Sequence, residues 1–412
     1  MKPSEGDMFY VQACDQKLLE KGESGGAVSA LLKFALESGS VDAVLGVRKG
    51  ADIYDAVPVL ITDPAEISEI SGSLHFGTLL LSRLFSKYLE KAENLKIAVA
   101  LKGCDVMGLY ELAKRGEVRL ENVLMLGLNC GGSISPEMAR KMIVETFAVN
   151  PDLVKKERIA KGKFIVETPE EEFSIPIDKL EEANFGRRSN CRRCKLKIPR
   201  QADLACGEWG VMGMEATFVE VCSAKGAELL KQAKTAGVVE TFPPVPKGVE
   251  IRGKIEKSML KLAEGWREKD FQSLGEGKTR LKQLVDETSR CIKCYTCIEV
   301  CPALSGTKVS DFTITPGKVP PSFAFHALRY SLVADSCINC GQCEELCPMD
   351  IPNALFMHSF AVEFQELYGY QAGQDLSVPN ISPLEIFRQK ESRKKNQVVK
   401  KIEAHKVEIR VS

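Results

Sequence analysis

The chain has 412 residues, enough for two or three domains with a sizeable buried core. Hydrophobic residues make up 44% and charged residues 27%, which excludes a disordered or collagen-like chain. Lys plus Arg and Asp plus Glu number 56 each, so net charge gives no pull toward nucleic acid. No apolar run approaches the roughly 20 residues that cross a bilayer, so no membrane insertion is expected. Met1 to Val11 carries Glu5 and Asp7 and no apolar signal region, and the expected location is cytoplasmic.

The first 240 residues read as an α/β domain. Ser24-Gly25-Gly26 precedes a helical stretch from Ala27 to Ser38, with apolar positions at Val28, Leu31, Leu32, Ala35 and Leu36. Val41 to Val47 has strand length, and Gly77 to Leu89 looks helical. Leu95 to Leu101 and Asn122 to Leu128 read as buried strands, each followed by a helix (Asp105 to Arg115, then Ser135 to about Val149). Ser135 and Pro136 supply N-cap and first-turn signals. This alternation predicts a mostly parallel sheet. Lys163 to Thr168 and Glu172 to Pro176 read as a hairpin. Phe242 to Gly248 marks a boundary, a charged helix follows from Glu250 to Lys269, and Gly275 to Lys278 is a hinge. The expected division is residues 1–245, a helical linker 246–285, a cysteine-rich module 286–365 and a tail 366–412. From Phe387 onward the tail holds nine Lys/Arg against three Asp/Glu, which suits a solvated or partner-facing segment.

Cysteine carries the chemistry. Fifteen thiols, an odd number, argue against a disulfide framework, and four histidines force any metal site to be built from thiolates. Cys291, Cys294, Cys297 and Cys301 form C-x-x-C-x-x-C-x-x-x-C-P, and Cys337, Cys340, Cys343 and Cys347 repeat it. A tight loop wraps three corners of a cubane, and in two-cluster ferredoxins the fourth cysteine serves the other cluster. Cys291, Cys294, Cys297 and Cys347 are therefore expected to hold one [4Fe–4S] centre, and Cys337, Cys340, Cys343 and Cys301 a second. The competing reading is a pair of zinc sites. A helical stretch, Ser322 to Val333, makes the module similar to the mainly α-helical ferredoxin domains of respiratory and heterodisulfide-reductase-type subunits.

Cys104 and Cys130 follow the two buried strands and should emerge at the carboxyl edge of the sheet, where ligands sit. Cys191 and Cys194 add a C-x-x-C. From spacing alone, a four-thiolate site and two unrelated cysteines beside a stray C-x-x-C fit equally. The segments Ser24-Gly25-Gly26, Leu101 to Met107 (LKGCDVM), Gly127 to Gly132 (GLNCGG), Gly162-Lys163-Phe164 and Asn190 to Gly210 resemble the beta subunits of coenzyme F420-reducing hydrogenases, and most closely those of F420-reducing formate dehydrogenases. The resemblance spans roughly residues 10 to 265. It implies a third [4Fe–4S] cluster on Cys104, Cys130, Cys191 and Cys194, beside FAD. Relatives often carry Pro-Cys-Gln where this chain has Gly103-Cys104-Asp105, which leaves the contacts of Asp105 open.

The same resemblance places FAD against Ser24, Gly25, Gly26 and against Ser71, Gly72, Ser73 and His75, with backbone contacts near Gly207 and Trp209. Lys102, beside a ligand cysteine, is a candidate to stabilise a reduced flavin or is a surface lysine. Arg187, Arg188, Arg192, Arg193, Lys195 and Lys197 either form a solvated face or offset the charge of a cluster or anionic substrate. Cys14, Cys206 and Cys222 are left as small unligated hydrophobes. No G-x-G-x-x-G follows a strand, and Gly277-Lys278-Thr279 lacks the first glycine of a P-loop.

Coenzyme F420 accepts a hydride and clusters pass single electrons, so a flavin belongs between them. The expected protein is an iron–sulfur flavoprotein without a protein nucleophile. Formate oxidation is assigned to a catalytic alpha subunit with a molybdenum or tungsten pterin, within a possible larger heterodisulfide reductase-type assembly. Alternatives are a hydrogenase or F420H2 dehydrogenase beta subunit, or a non-catalytic electron-transfer adaptor.

Overall fold

The computed structural model describes residues 3–160, 162–307, 312 and 321–381. Its N-terminal region is built on strands β1 (Met8–Ala13), β2 (Ala43–Lys49), β3 (Ala56–Ile61), β4 (Ile97–Lys102), β5 (Val123–Leu128), β6 (Lys156–Ala160), β7 (Lys163–Glu167), β8 (Glu172–Pro176), β9 (Leu204–Gly207), β10 (Thr217–Val221) and β11 (Val239–Phe242). Eight form one sheet in the order β11-β1-β10-β9-β5-β4-β2-β3, and β6-β7-β8 form a second.

The large sheet is mixed rather than mostly parallel. β2, β4, β5 and β9 run parallel, whereas β3, β10, β1 and β11 pair antiparallel on the two flanks. The centre is parallel because Ile97, Ala98, Val99 and Leu101 on β4 are covered on both faces, as a continuous apolar run requires. β4 and β5 are in register from Ile97↔Val123 to Lys102↔Leu128, so their carboxyl ends finish side by side. The helix after β4 begins at Gly103, two residues earlier than expected, and puts Cys104 in its first turn. Ser135 caps the helix after β5 through Met138 N at 3.4 Å, and a π-helical turn, Ile143–Phe147, extends it.

The helix expected over Gly77 to Leu89 forms only as Ser82–Tyr88. Residues 78 and 79 spend their carbonyls elsewhere: Thr78 O accepts from Gln342 Nε2, and Leu79 O accepts from Lys102 Nζ at 2.8 Å.

The stretch read as a linker is a helix, Pro246–Gln272, lying along the α/β region. Arg252 is buried on it and pairs with Glu220 at 2.9 Å. Gly248 and Gly210 let the two backbones meet, since a Cβ on either would collide with the other's carbonyl. After a second helix, Gly277–Ser289, the cysteine-rich module is helical: short turns Thr296–Glu299 and Gln342–Glu345, then Ser322–Val333 and Asn353–Tyr368. Its core joins Leu284, Ile298, Phe325, Tyr330, Phe356 and Met357.

Beyond Tyr368 the chain folds back as a strap. Glu111, fully buried, accepts from Arg115 Nη1 at 2.7 Å, Gly373 N at 2.7 Å and Asn380 Nδ2 at 2.8 Å. Burial pushes its carboxyl up, but Arg115, Lys114 and the Gly373 amide hold it below the usual value. Ile381 N donates to Asp335 at 2.8 Å, which ties the strap to the cysteine-rich module. The basic stretch from Phe387 onward lies outside the described residues. Among the described residues, no helix is long and apolar enough to cross a membrane.

Candidate functional site

The two cysteine runs share one backbone form. Lys293 and Tyr295 in the first run have φ of 58° and 60°, and their counterparts Asn339 and Gly341 in the second have 55° and 76°. Left-handed residues alternating with right-handed ones turn successive N–H groups inward, a concavity suited to anions. The Lys293 amide lies 3.4 Å from Cys291 Sγ, and the amides of Asn339 and Gln342 serve Cys337 and Cys340.

The structure brings Cys301 to the second run. Cys301, Cys337, Cys340 and Cys343 line one cavity, together with Arg329 and Met357. At the other end, Arg290, next to Cys291, donates to Met349 O at 3.0 Å, so the start of the first run adjoins the end of the second, near Cys347. Cys294 is exposed. Among the described residues, no three His, Cys, Asp or Glu side chains are grouped to hold a single metal ion. Burial holds the thiols of Cys337 and Cys340 up at about 12, so binding of a metal cluster must displace protons.

Cys104, Cys130, Cys191 and Cys194 also meet on one cavity, at the carboxyl edge of β4 and β5. Cys104 and Cys130 arrive from adjacent parallel strands, and the turn Ser189–Arg192 carries Cys191. Burial raises the thiols of Cys104 and Cys130, the latter to about 11. It opposes ionisation of Cys191 as well, but Arg188, Ser133 and Lys197 bring that thiol below its ordinary value. Lys102 lines the same cavity and stays charged despite burial because Asp105, Cys104, Cys130 and Cys191 surround it. Lys102 is thus a half-buried neighbour of the thiols and not a surface lysine. Asp105 is buried and accepts from Ser82 N at 3.0 Å.

The two cavities have a common wall. Asn339, Cys340 and Gln342 line both. Here the regions are clasped reciprocally: Asn190 Nδ2 donates to Asn339 O at 3.2 Å, and Asn339 Nδ2 donates to Asn190 O at 2.9 Å. Arg188 Nε donates to Glu345 at 2.9 Å and Ser189 Oγ to Glu344 at 2.9 Å. Nothing in the spacing of the sequence pointed to Asn339, Gln342 or this clasp.

Most of the basic cluster is no solvated face, although Lys195 is exposed. Arg187, Arg193 and Lys197 are buried and Arg188 is 9% exposed at its side chain. Arg187 pairs with Glu181, Arg193 with Asp270, and Arg192 lies over the Trp266 ring. Of the leftover cysteines, Cys206 is a core residue, Cys222 is half-buried and Cys14 is exposed.

The loops expected to hold a flavin converge beside β9. Ser71 Oγ donates to Ser29 Oγ at 3.0 Å on the helix that follows Gly26, and Gly72 sits against Lys21 O. Gly25 and Gly26, both left-handed, pack on Ala216 and Leu18 with no room for a Cβ. The helix Ala27–Glu37 has no side-chain cap on its first turn, which leaves its N–H groups for an anion. Ser24 instead binds inward, its hydroxyl on Ala216 O and its carbonyl on Thr217. His75 is held twice by buried Glu157, through its backbone N at 2.8 Å and through Nδ1 at 2.6 Å. Burial disfavours the imidazolium, but Glu157, with Glu23 and Glu208 beyond, raises its pKa. Gly207 abuts Asn129, next to Cys130, and the carbonyl of Trp209 accepts from Arg252 at 3.4 Å. Ser73 belongs to the turn that leads into His75.

A doubled cysteine module clasped against a further four-thiol cavity at a sheet's carboxyl edge defines an iron–sulfur protein of the electron-transfer class. Comparison narrows the class. Residues 8–85 and 94–247 match the N-terminal and C-terminal parts of the coenzyme F420 hydrogenase/dehydrogenase beta subunit, and residues 287–351 match a 4Fe-4S dicluster domain. The F420-dependent formate dehydrogenase subunit beta of Methanocaldococcus jannaschii is 43% identical over 91% of this chain and 98% of that protein. The F420-dependent formate dehydrogenase 1 subunit beta of Methanococcus maripaludis is 44% identical over 90% and 97%. The chain belongs to the coenzyme F420 hydrogenase/dehydrogenase beta-subunit family, alongside the formate dehydrogenase members it matches over nearly their full length. A solved chain of the F420-reducing [NiFe] hydrogenase complex from Methanosarcina barkeri shares the fold, with a TM-score of 0.56 at 22% identity over 65% of this chain and 92% of that one.

Proposed function

We propose that this chain is the beta subunit of a cytoplasmic F420-dependent formate dehydrogenase, exchanging electrons between a catalytic alpha subunit and coenzyme F420. The observation that carries the reading is the common wall of the two thiol cavities, with Cys340 facing both. When bound, three [4Fe–4S] clusters move single electrons and FAD converts pairs of them into the hydride that coenzyme F420 takes up.

The chain's own residues then have separate tasks. Cys291, Cys294, Cys297 and Cys347 hold the outermost cluster, and exposed Cys294 marks the side that faces the partner. Cys301, Cys337, Cys340 and Cys343 hold the middle one, and Cys104, Cys130, Cys191 and Cys194 the innermost. Their donor chemistry fits: all four ligands of each set are thiols, and the middle and innermost sets each line one cavity. Ser71 to His75, the uncapped turn after Gly26 and the backbone at Gly207 and Trp209 form the flavin bed, with Glu157 fixing the tautomer of His75. Formate oxidation takes place on the alpha subunit, on a molybdenum or tungsten pterin.

The test is anaerobic oxidation of reduced coenzyme F420 by the iron- and FAD-loaded chain, with a viologen as acceptor. Turnover by the isolated chain supports the reading. No turnover with iron and FAD bound contradicts it and leaves the electron-transfer adaptor.

A further inference from the structure

Two buried arginines lie where consecutive thiol sets meet. Arg329 is 1% exposed, on the helix Ser322–Val333, and lines the cavity of Cys301, Cys337, Cys340 and Cys343. Cys297, which belongs to the outermost set, packs against the core built by Phe325 and Tyr330 of the same helix. Arg329 Nη2 donates to the neutral amide of Asn353 at 2.7 Å, and its Nε is buried with no partner among the described residues. Arg188 lines the other cavity with Cys191 and Cys104 and faces Cys340 across the common wall. One nitrogen meets Glu345, while its Nη2 is buried without a partner.

A guanidinium does not lose its proton inside a protein, and a buried one requires negative charge within reach. Each cluster with its four thiolates supplies that charge, and a nearby fixed cation stabilises the reduced, more negative state. We propose that Arg188 and Arg329 are shared electrostatic residues of the relay, each raising the reduction potentials of the two clusters on either side of it. The proposal rests on the cluster assignment above but not on FAD or coenzyme F420.

The experiment is an EPR-monitored redox titration of the iron-replete full chain, with each signal assigned through cysteine variants. Arg188→Gln should lower the potentials of the middle and innermost clusters and leave the outermost unmoved. Arg329→Gln should lower the outermost and middle and leave the innermost, and Arg188→Lys should keep wild-type values. Full iron with unmoved potentials, or an equal shift in all three clusters, overturns the proposal. If Arg188→Gln loses iron, Glu345→Gln takes its place: removing the counter-charge should raise the same two potentials, and no shift there overturns the proposal. A wild-type chain that takes up no clusters overturns the functional reading itself, whereas clusters insensitive to the arginines overturn only this assignment.

Discussion

In the C-terminal module, eleven consecutive residues from Cys291 to Cys301 carry four thiols, whereas the α/β region draws its four from positions 104 to 194. The first arrangement is made by local backbone. Left-handed residues at fixed offsets, 293 and 295 or 339 and 341, bend each run around its own centre. The second exists only because β4 and β5 are parallel neighbours in register and a distant turn closes over their ends. A local loop announces itself by spacing, while an assembled site is written in the order of strands. Cys301 departs from locality in the module by lining the cavity of the other run, and the assignment of Cys347 to the first run is the reciprocal crossing.

The largest effects should come from the thiols. Cys301→Ser should remove the cluster held by the second run, not that of its own run, with loss of roughly one third of the iron. Cys130→Ser should remove the innermost cluster and abolish oxidation of reduced coenzyme F420. Iron analysis and EPR separate the two, and loss of the outermost signal in Cys301→Ser would break the crossed assignment. Next in size is the buried hub. Glu111→Ala strands Arg115 and frees the strap, and should cost about 3–5 kcal/mol in urea unfolding.

The clasp between the two regions gives smaller effects. An Ala at Gly341 would carry a φ of 76° and drive its Cβ into Asn190. Gly369, at φ 62° with nothing within 4 Å, is the control, because Ala there meets only the left-handed strain. Gly369→Ala should cost about 1–2 kcal/mol, and Gly341→Ala about 1–3 kcal/mol more. Equal costs would show that the junction yields freely.

The smallest effect concerns pH at His75. Its folded pKa is raised, so its pairing with Glu157 contributes fully below the unfolded value of about 6.5 and is lost as pH rises through the folded value. The stability advantage of wild type over Glu157→Gln should therefore be greater near pH of about 6 than of about 9, as read by urea midpoints. A constant difference would mean that Glu157 acts on His75 through its hydrogen bonds alone.

Much of this architecture is legible in the residues, for reasons that differ by site. The apolar runs of β4 and β5 are readable because both faces are buried, and they place Cys104 and Cys130 correctly at one edge. The flanking strands β1, β10 and β11 are short and carry residues such as Gln12, Glu220 and Glu240, so they leave little periodic signal and the sheet reads as more parallel than it is. Arg188 looked like surface charge because its partner Glu345 is 157 positions away. Arg329 gave a clearer sign, a lone cation among Phe325, Tyr330, Leu332 and Val333. Glu111 gave only its helical neighbour Arg115, since its other partners come from a strap more than 250 residues later.

The most direct test of the account reduces the FAD- and iron-loaded chain with reduced coenzyme F420 alone and records EPR spectra of wild type, Cys337→Ser and Cys104→Ser. The account predicts that all three clusters are reduced in wild type. In Cys337→Ser only the innermost should be, and in Cys104→Ser neither C-terminal cluster should receive electrons. Reduction of the C-terminal clusters in Cys104→Ser would show electrons bypassing the α/β thiols, and would contradict a relay running through the common wall at Cys340.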